Sequence, residues 1–205
     1  DSLADVGFHQ AYLTLKNLAG LNADLKIGRQ EVVIGGHRLF GHTGWTQGAE
    51  TKDAIRLSHS ASNHSLGYTL IAGQNGDAIG NNNEDNVYVN VITASTQGVM
   101  GGALEGIFTW TSDQQGTATT AEDLMDWFTV GARQKGKMGG LDYRVEFYHQ
   151  FGDAGAIANA SGITFTPVAS TEGTSVDRNA QFYGIRVGKT FKNAKGSPTI
   201  TLWYD

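Results

Sequence analysis

The chain has 205 residues, a formal net charge of -5 and a mean hydropathy of -0.28, enough for one domain with a sizeable buried surface. No apolar run approaches the roughly 18 residues of a membrane-crossing helix. Cysteine is absent, which excludes a disulfide framework, and no basic patch interleaved with aromatics points to a nucleic acid.

Period-2 hydrophobicity predicts ten strands in chain order: Phe8–Leu18, Ala23–Ile34, Lys52–Ser60, Leu66–Gln74, Val87–Ser95, Ala103–Thr111, Trp127–Lys135, Leu141–Phe151, Ala180–Phe191 and Thr199–Tyr204. Their connections alternate in length. Ala61–Ser65 and Gly136–Gly140 are tight, whereas Gly36–Thr51, Asn75–Asn86, Ser112–Asp126 and Asp153–Asn179 are long. An antiparallel meander with its long loops at one end is the plan of an up-and-down transmembrane β-barrel, in which lumen-facing residues dilute the hydropathy at every second position. The expected fold is therefore all-β: a single barrel domain over residues 1–205, with about ten strands of a larger barrel that continues past both ends.

Within Ala23–Ile34, Leu25 and Ile27 share one phase while Val32 and Ile34 take the other. Gly28 lies at the switch, and a β-bulge is expected there. Ser112–Asp126 has room for a helical turn capped by Thr120, and Ile163–Val168 for a short strand in the last long connection. In Trp127–Lys135, Phe128, Val130 and Ala132 suit lipid, while Thr129, Arg133 and Lys135 suit water. Leu141–Phe151 repeats this most clearly: Leu141, Tyr143, Val145, Phe147 and Phe151 share a face with His149, and Asp142, Arg144, Glu146 and Gln150 share the other. In Ala180–Phe191, Arg186 and Thr190 fall inward and Lys189 outward, a position acceptable only near an interface. Trp110, Trp127, Tyr148, Phe151, Phe191 and Trp203 lie near strand ends, as interfacial girdles require.

Charges sort by position. Most cations fall in strands or short turns, and the long connections are acidic. A basic lumen favours anions, and acidic loops suit divalent cations that bridge lipopolysaccharide. Among these strand cations Arg29, Arg56, Arg133, Arg144 and Arg186 are expected to project into the lumen, with Glu31 and Glu146 as carboxylate partners. The alternative role for these arginines is bracing of the wall by inward ion pairs. No serine–histidine or aspartate–histidine arrangement supplies an activated nucleophile, so no catalytic residue and no enzyme activity are assigned. The six histidines lack metal spacing, and the Asn/Asp-rich stretch around Asn75–Asn86 lacks the spacing of an EF-hand. No metal and no cofactor are assigned.

Leu25–Arg56 carries a run of motifs: Gly28-Arg29-Gln30, then Gly35 to Gly41 around Arg38-Leu39, then Trp45, then Asp53 and Arg56-Leu57. This resembles the signature of the alginate export family of outer-membrane β-barrels. Leu141-Asp142-Tyr143, Gln150-Phe151-Gly152-Asp153 and Tyr183–Phe191 are similar to the family as well. Lys52 departs from it, standing where the family places an aromatic residue. The resemblance implies an eighteen-stranded barrel of which this chain is about half, in the outer membrane of a Gram-negative bacterium. It also implies a constriction of arginines with acidic partners, which carries over to Arg29, Arg38, Arg56 and Asp53. The function read from both sources is a passive channel for anionic oligo- or polysaccharide or other small anionic solutes. Its partners would be membrane lipid and lipopolysaccharide. The alternatives are a scaffold barrel that anchors another envelope component, and a soluble all-β binding module.

Overall fold

The structure is a computed structural model, and it describes residues 8–44, 49–73, 87–113, 125–154 and 176–205. The helical turn expected at Thr120, the strand expected at Ile163–Val168 and the Asn/Asp-rich stretch lie outside these residues. Among the described residues ten strands form one sheet in strict chain order, every neighbour antiparallel. They are β1 Ala11–Leu15, β2 Ala23–Gln30, β3 Lys52–Ser60, β4 His64–Gly73, β5 Val87–Val99, β6 Gly102–Asp113, β7 Met125–Met138, β8 Leu141–Ala154, β9 Val176–Thr190 and β10 Thr199–Tyr204. The sheet is not closed, because β1 and β10 are its edges.

The meander puts the long connections β2–β3, β4–β5, β6–β7 and β8–β9 at one end. Two of the opposite turns take the mirror-image geometry that matches strand twist, with positive φ at both central residues. These are Met100-Gly101 (φ 48° and 73°) and Gly139-Gly140 (φ 59° and 78°). Outward from them, Tyr143 donates from its hydroxyl to the Met100 carbonyl (2.6 Å), and Gln134 donates to the Val99 carbonyl (2.8 Å). Two side chains thus satisfy turn carbonyls that would otherwise face lipid.

Burial runs opposite to a water-soluble sheet. Thr69, Thr109, Thr111, Thr129, Glu146 and Gln30 are buried, while Leu66, Ile92, Val145 and Tyr183 are 54%, 53%, 46% and 55% exposed. Register shows that each set shares a face. Arg133 pairs with Glu146 and Thr129 with Gln150, whereas Val130 pairs with His149 and Ala132 with Phe147. Apolar area left in water costs about 25 cal/mol per Å². A continuous outward belt of Leu13, Ile27, Ile55, Ile92, Phe108, Val130, Phe147 and Ile185 is a stable surface only against acyl chains.

Two expectations are corrected. The register through Gly28 runs without a shift, from Ala11↔Arg29 to Leu15↔Leu25 on one side and from Ala23↔His59 to Gln30↔Lys52 on the other. Gly28 (φ 123°) is needed for another reason: a Cβ there would run into the Ala11 carbonyl oxygen of β1. The register shift in the sheet lies between Gln97 and Val99, at Gly98. The second correction concerns the aromatics. Trp110 and Phe151 face out and flank Phe128, at centroid distances of 6.4 and 5.5 Å. Trp127, Tyr148 and Trp203 instead share the inner face with Gly152, Gly131 and Arg186, because their parity is that of the polar residues.

Candidate functional site

The inner face is shaped by a segment that leaves the wall. Gln30 ends β2 fully buried, donating from Nε2 to the carbonyls of Gly28 (3.2 Å) and Ala54 (3.0 Å). Val32 and Ile34 then pack with Ala54, Ile71 and Val91, supported by Phe40, Val89 and Ile107. Their phase flip is thus a departure into the interior. The Ile34 amide donates to the Phe40 carbonyl (3.2 Å) and closes a small hairpin around Gly35, Gly36 and His37. All three have left-handed φ (60°, 75° and 68°), and a Cβ at Gly36 would collide with the Arg133 guanidinium. Glycine at 36 therefore lets the hairpin tip approach β7.

From that tip Arg38 reaches across to β8 and β9. Its Nε lies 3.3 Å from Glu146, its Nη2 lies 3.2 Å from Asp205, and its guanidinium sits 4.3 Å from the centre of the Phe182 ring. The Glu146 side chain is 3% exposed and is ringed by arginines, with Arg144 Nε at 2.7 Å and Arg133 Nε at 3.8 Å besides Arg38. Arg133 also approaches Glu105 (3.4 Å), which Lys135 meets at 3.0 Å. Four cations (Arg38, Arg133, Arg144, Lys135) thus share three carboxylates (Glu105, Glu146, Asp205), an excess of one positive charge. A carboxylate this buried is stable only because one hydrogen bond from Arg38 and the ion pairs with Arg133 and Arg144 replace its water.

Arg56 and Arg186 lie on the same face. Arg56 faces Lys26 and Thr69 across its two ladders, and Arg186 faces Arg144 and Trp203. Neither makes an ion pair or a side-chain hydrogen bond among the described residues. A cavity of about 220 Å³ lies between the hairpin backbone at Val33–Gly35 and the wall. It is lined by Arg56, Arg133, Glu105, Ser65, Thr93, Ser95 and Tyr148. Ser65 and Ser95 share a hydroxyl hydrogen bond of 2.7 Å. Guanidinium groups beside hydroxyls make a surface suited to a carboxylate on a polyol.

Of the seven residues expected at a lumen site, five share this face: Arg38, Arg56, Arg133, Arg144 and Arg186. Arg29 and Asp53 do not join them. They pair in register on the face of Ile27 and Ile55 and form a bidentate bridge of 3.1 and 2.8 Å at the long-loop end of the outer surface. Glu31, a second expected partner, pairs outward with His9 (3.1 Å). Glu105, Tyr148 and Phe182 were missed. Tyr148 and Phe182 have the parity of Glu146 and Arg186 on their own strands, and that parity was the usable signal, whereas Glu105 is placed by its register with Arg133. Among the described residues no three metal-ligating side chains cluster.

An antiparallel meander with an apolar outside, a charged inside and an inward-folded segment has the build of an outer-membrane β-barrel wall. The sequence profile for alginate export matches residues 3–205, and the chain belongs to the alginate export family, a family of outer-membrane β-barrel transport proteins. No match is found among curated proteins or among solved structures.

Proposed function

We propose that this chain forms wall and constriction of an outer-membrane channel that passes anionic oligo- or polysaccharide, or other small anionic solutes, passively. The observation that carries the reading is the surplus of positive charge inside: Arg56 and Arg186 without partners among the described residues, beside a network that already holds one cation more than its carboxylates balance. Conduction needs attraction strong enough for a solute to enter and weak enough for it to leave. Arginines tempered by Glu105 and Glu146 meet that need better than one unopposed cluster. Membrane lipid and lipopolysaccharide would cover the outer face, in the outer membrane of a Gram-negative bacterium.

The test is the reversal potential of the full-length barrel in a planar bilayer under a salt gradient. Anions should be favoured. Arg56→Gln with Arg186→Gln should move the permeability ratio toward cations, most at low salt, where screening is weakest. An unmoved ratio would mean that these arginines do not set the selectivity. One observation supports the scaffold alternative: the hairpin at Ile34–Phe40 is glued to the inner wall by a hydrophobic cluster and takes up interior space. A scaffold barrel would show no resolvable single-channel conductance.

A further inference from the structure

The outward belt ends in an unbalanced cluster of cations at the short-turn end. Lys189 points outward one residue before β9 stops, opposite Ile200 and beyond Val187 and Leu202. Its Nζ stands 5.5 Å from the centre of the Phe191 ring. The turn that follows is held by three backbone bonds: Phe191 N–H to Pro198 (2.9 Å), Ala194 N–H to Phe191 (3.1 Å) and Ser197 N–H to Ala194 (2.9 Å). It carries Lys192 and Lys195, both exposed.

None of the three ammonium groups has an ion pair among the described residues, and no Asp or Glu occurs between Arg178 and Tyr204. The neighbouring carboxylate, Asp142, faces inward and is engaged by Lys137 (3.4 Å). Phe191, Ile200 and Leu202 are 41%, 60% and 73% exposed on the same edge. An exposed aromatic and aliphatic edge rimmed by unpaired lysines matches the boundary between acyl chains and headgroups.

We propose that the turn joining β9 to β10 binds the phosphate groups of acidic phospholipids in the leaflet at the short-turn end, with Lys189, Lys192 and Lys195 as the ligands. This rests on the membrane reading of the outer face but not on any cargo. Ammonium groups meet phosphate as mobile point charges, so the site selects headgroup charge over headgroup shape. The acidic long connections put the opposite preference at the other end, which is why phospholipid rather than lipopolysaccharide phosphate is the assigned partner. Each lysine near an anionic surface strengthens association by about five-fold.

The experiment places the full-length barrel in bilayers of phosphatidylcholine doped with spin-labelled phosphatidylglycerol, phosphatidylcholine or lipopolysaccharide, and measures the immobilised fraction of each. Phosphatidylglycerol should be enriched over phosphatidylcholine. Lys189→Gln, Lys192→Gln and Lys195→Gln together should remove that enrichment by roughly ten-fold or more, whereas Lys16→Gln, in a different short turn, should leave it. Should the triple variant not fold, the unaltered barrel still decides the matter: the enrichment should fall when salt rises from about 0.05 to about 0.5 M. The proposal is overturned by enrichment that survives in the triple variant, by enrichment insensitive to salt, or by preference confined to lipopolysaccharide.

Discussion

Two arginine–carboxylate pairs in this wall have similar chemistry and opposite surroundings. Arg29 and Asp53 meet on the outer face with side chains 41% and 39% exposed. Arg38 and Glu146 meet on the inner face, where Glu146 is 3% exposed and serves two further arginines. The outer pair is local, joining adjacent strands β2 and β3. The inner one ties the internal hairpin to strands on the far side of the sheet. The difference teaches that position relative to the sheet, not pair geometry, decides what an ion pair does. The outer bridge has the better bidentate geometry, yet the inner carboxylate carries more of the architecture.

The comparison is most sharply tested by removing each carboxylate in the full-length barrel. Glu146→Ala leaves three arginines around a buried void and should destabilise the fold by about 3–5 kcal/mol in urea titrations. Next in size is Val145→Arg, one residue away on the lipid face, which should cost about 2–4 kcal/mol for folding into vesicles. Equal yields of folded Val145→Arg and unaltered protein would argue that this face does not meet lipid. Gly36→Ala adds a Cβ at φ 75° against the Arg133 guanidinium and should cost about 1–3 kcal/mol, read as a lower urea midpoint. Smallest is Asp53→Asn, which should cost at most about 1 kcal/mol because the pair is exposed, and should leave ion selectivity unchanged because it lies outside.

Strand number and order were legible because a meander needs only local information: period-2 runs and turn chemistry. Gly139-Gly140, inside the tight connection expected at Gly136–Gly140, is such a turn signal. The site was legible where alternation was followed. Arg133, Arg144 and Arg186 were placed inward by the parity of their own strands, and the register agrees. It failed where motif outweighed parity. Arg29 and Asp53 alternate in phase with Ile27 and Ile55, so parity puts them outward; the sorting of cations into strands together with the family motifs drew them into the lumen. Tyr148 was read as a girdle aromatic although it alternates with Glu146 and Gln150. The interior position of Val32 and Ile34 could not be read locally, because an apolar residue after a strand suits lipid and a lumen-side cluster equally. Only the packing against Ala54, Ile71 and Val91 distinguishes them. The long reach of Arg38 to Glu146 and Asp205 depends on that same departure from the wall.

These 205 residues contain no cysteine, so single cysteines can carry a spin label at successive positions of β8 in a full-length barrel from which any other cysteine is replaced by serine. Accessibility to oxygen, which concentrates in lipid, and to a water-soluble nickel chelate should be measured at 143 to 147 in the full-length barrel reconstituted in vesicles. Tyr143, Val145 and Phe147 should respond to oxygen and resist the chelate, while Arg144 and Glu146 should show the reverse or be shielded from both. A period of two in the ratio is the result the two-faced wall requires. Equal chelate access on both faces, with oxygen preference on neither, would contradict it.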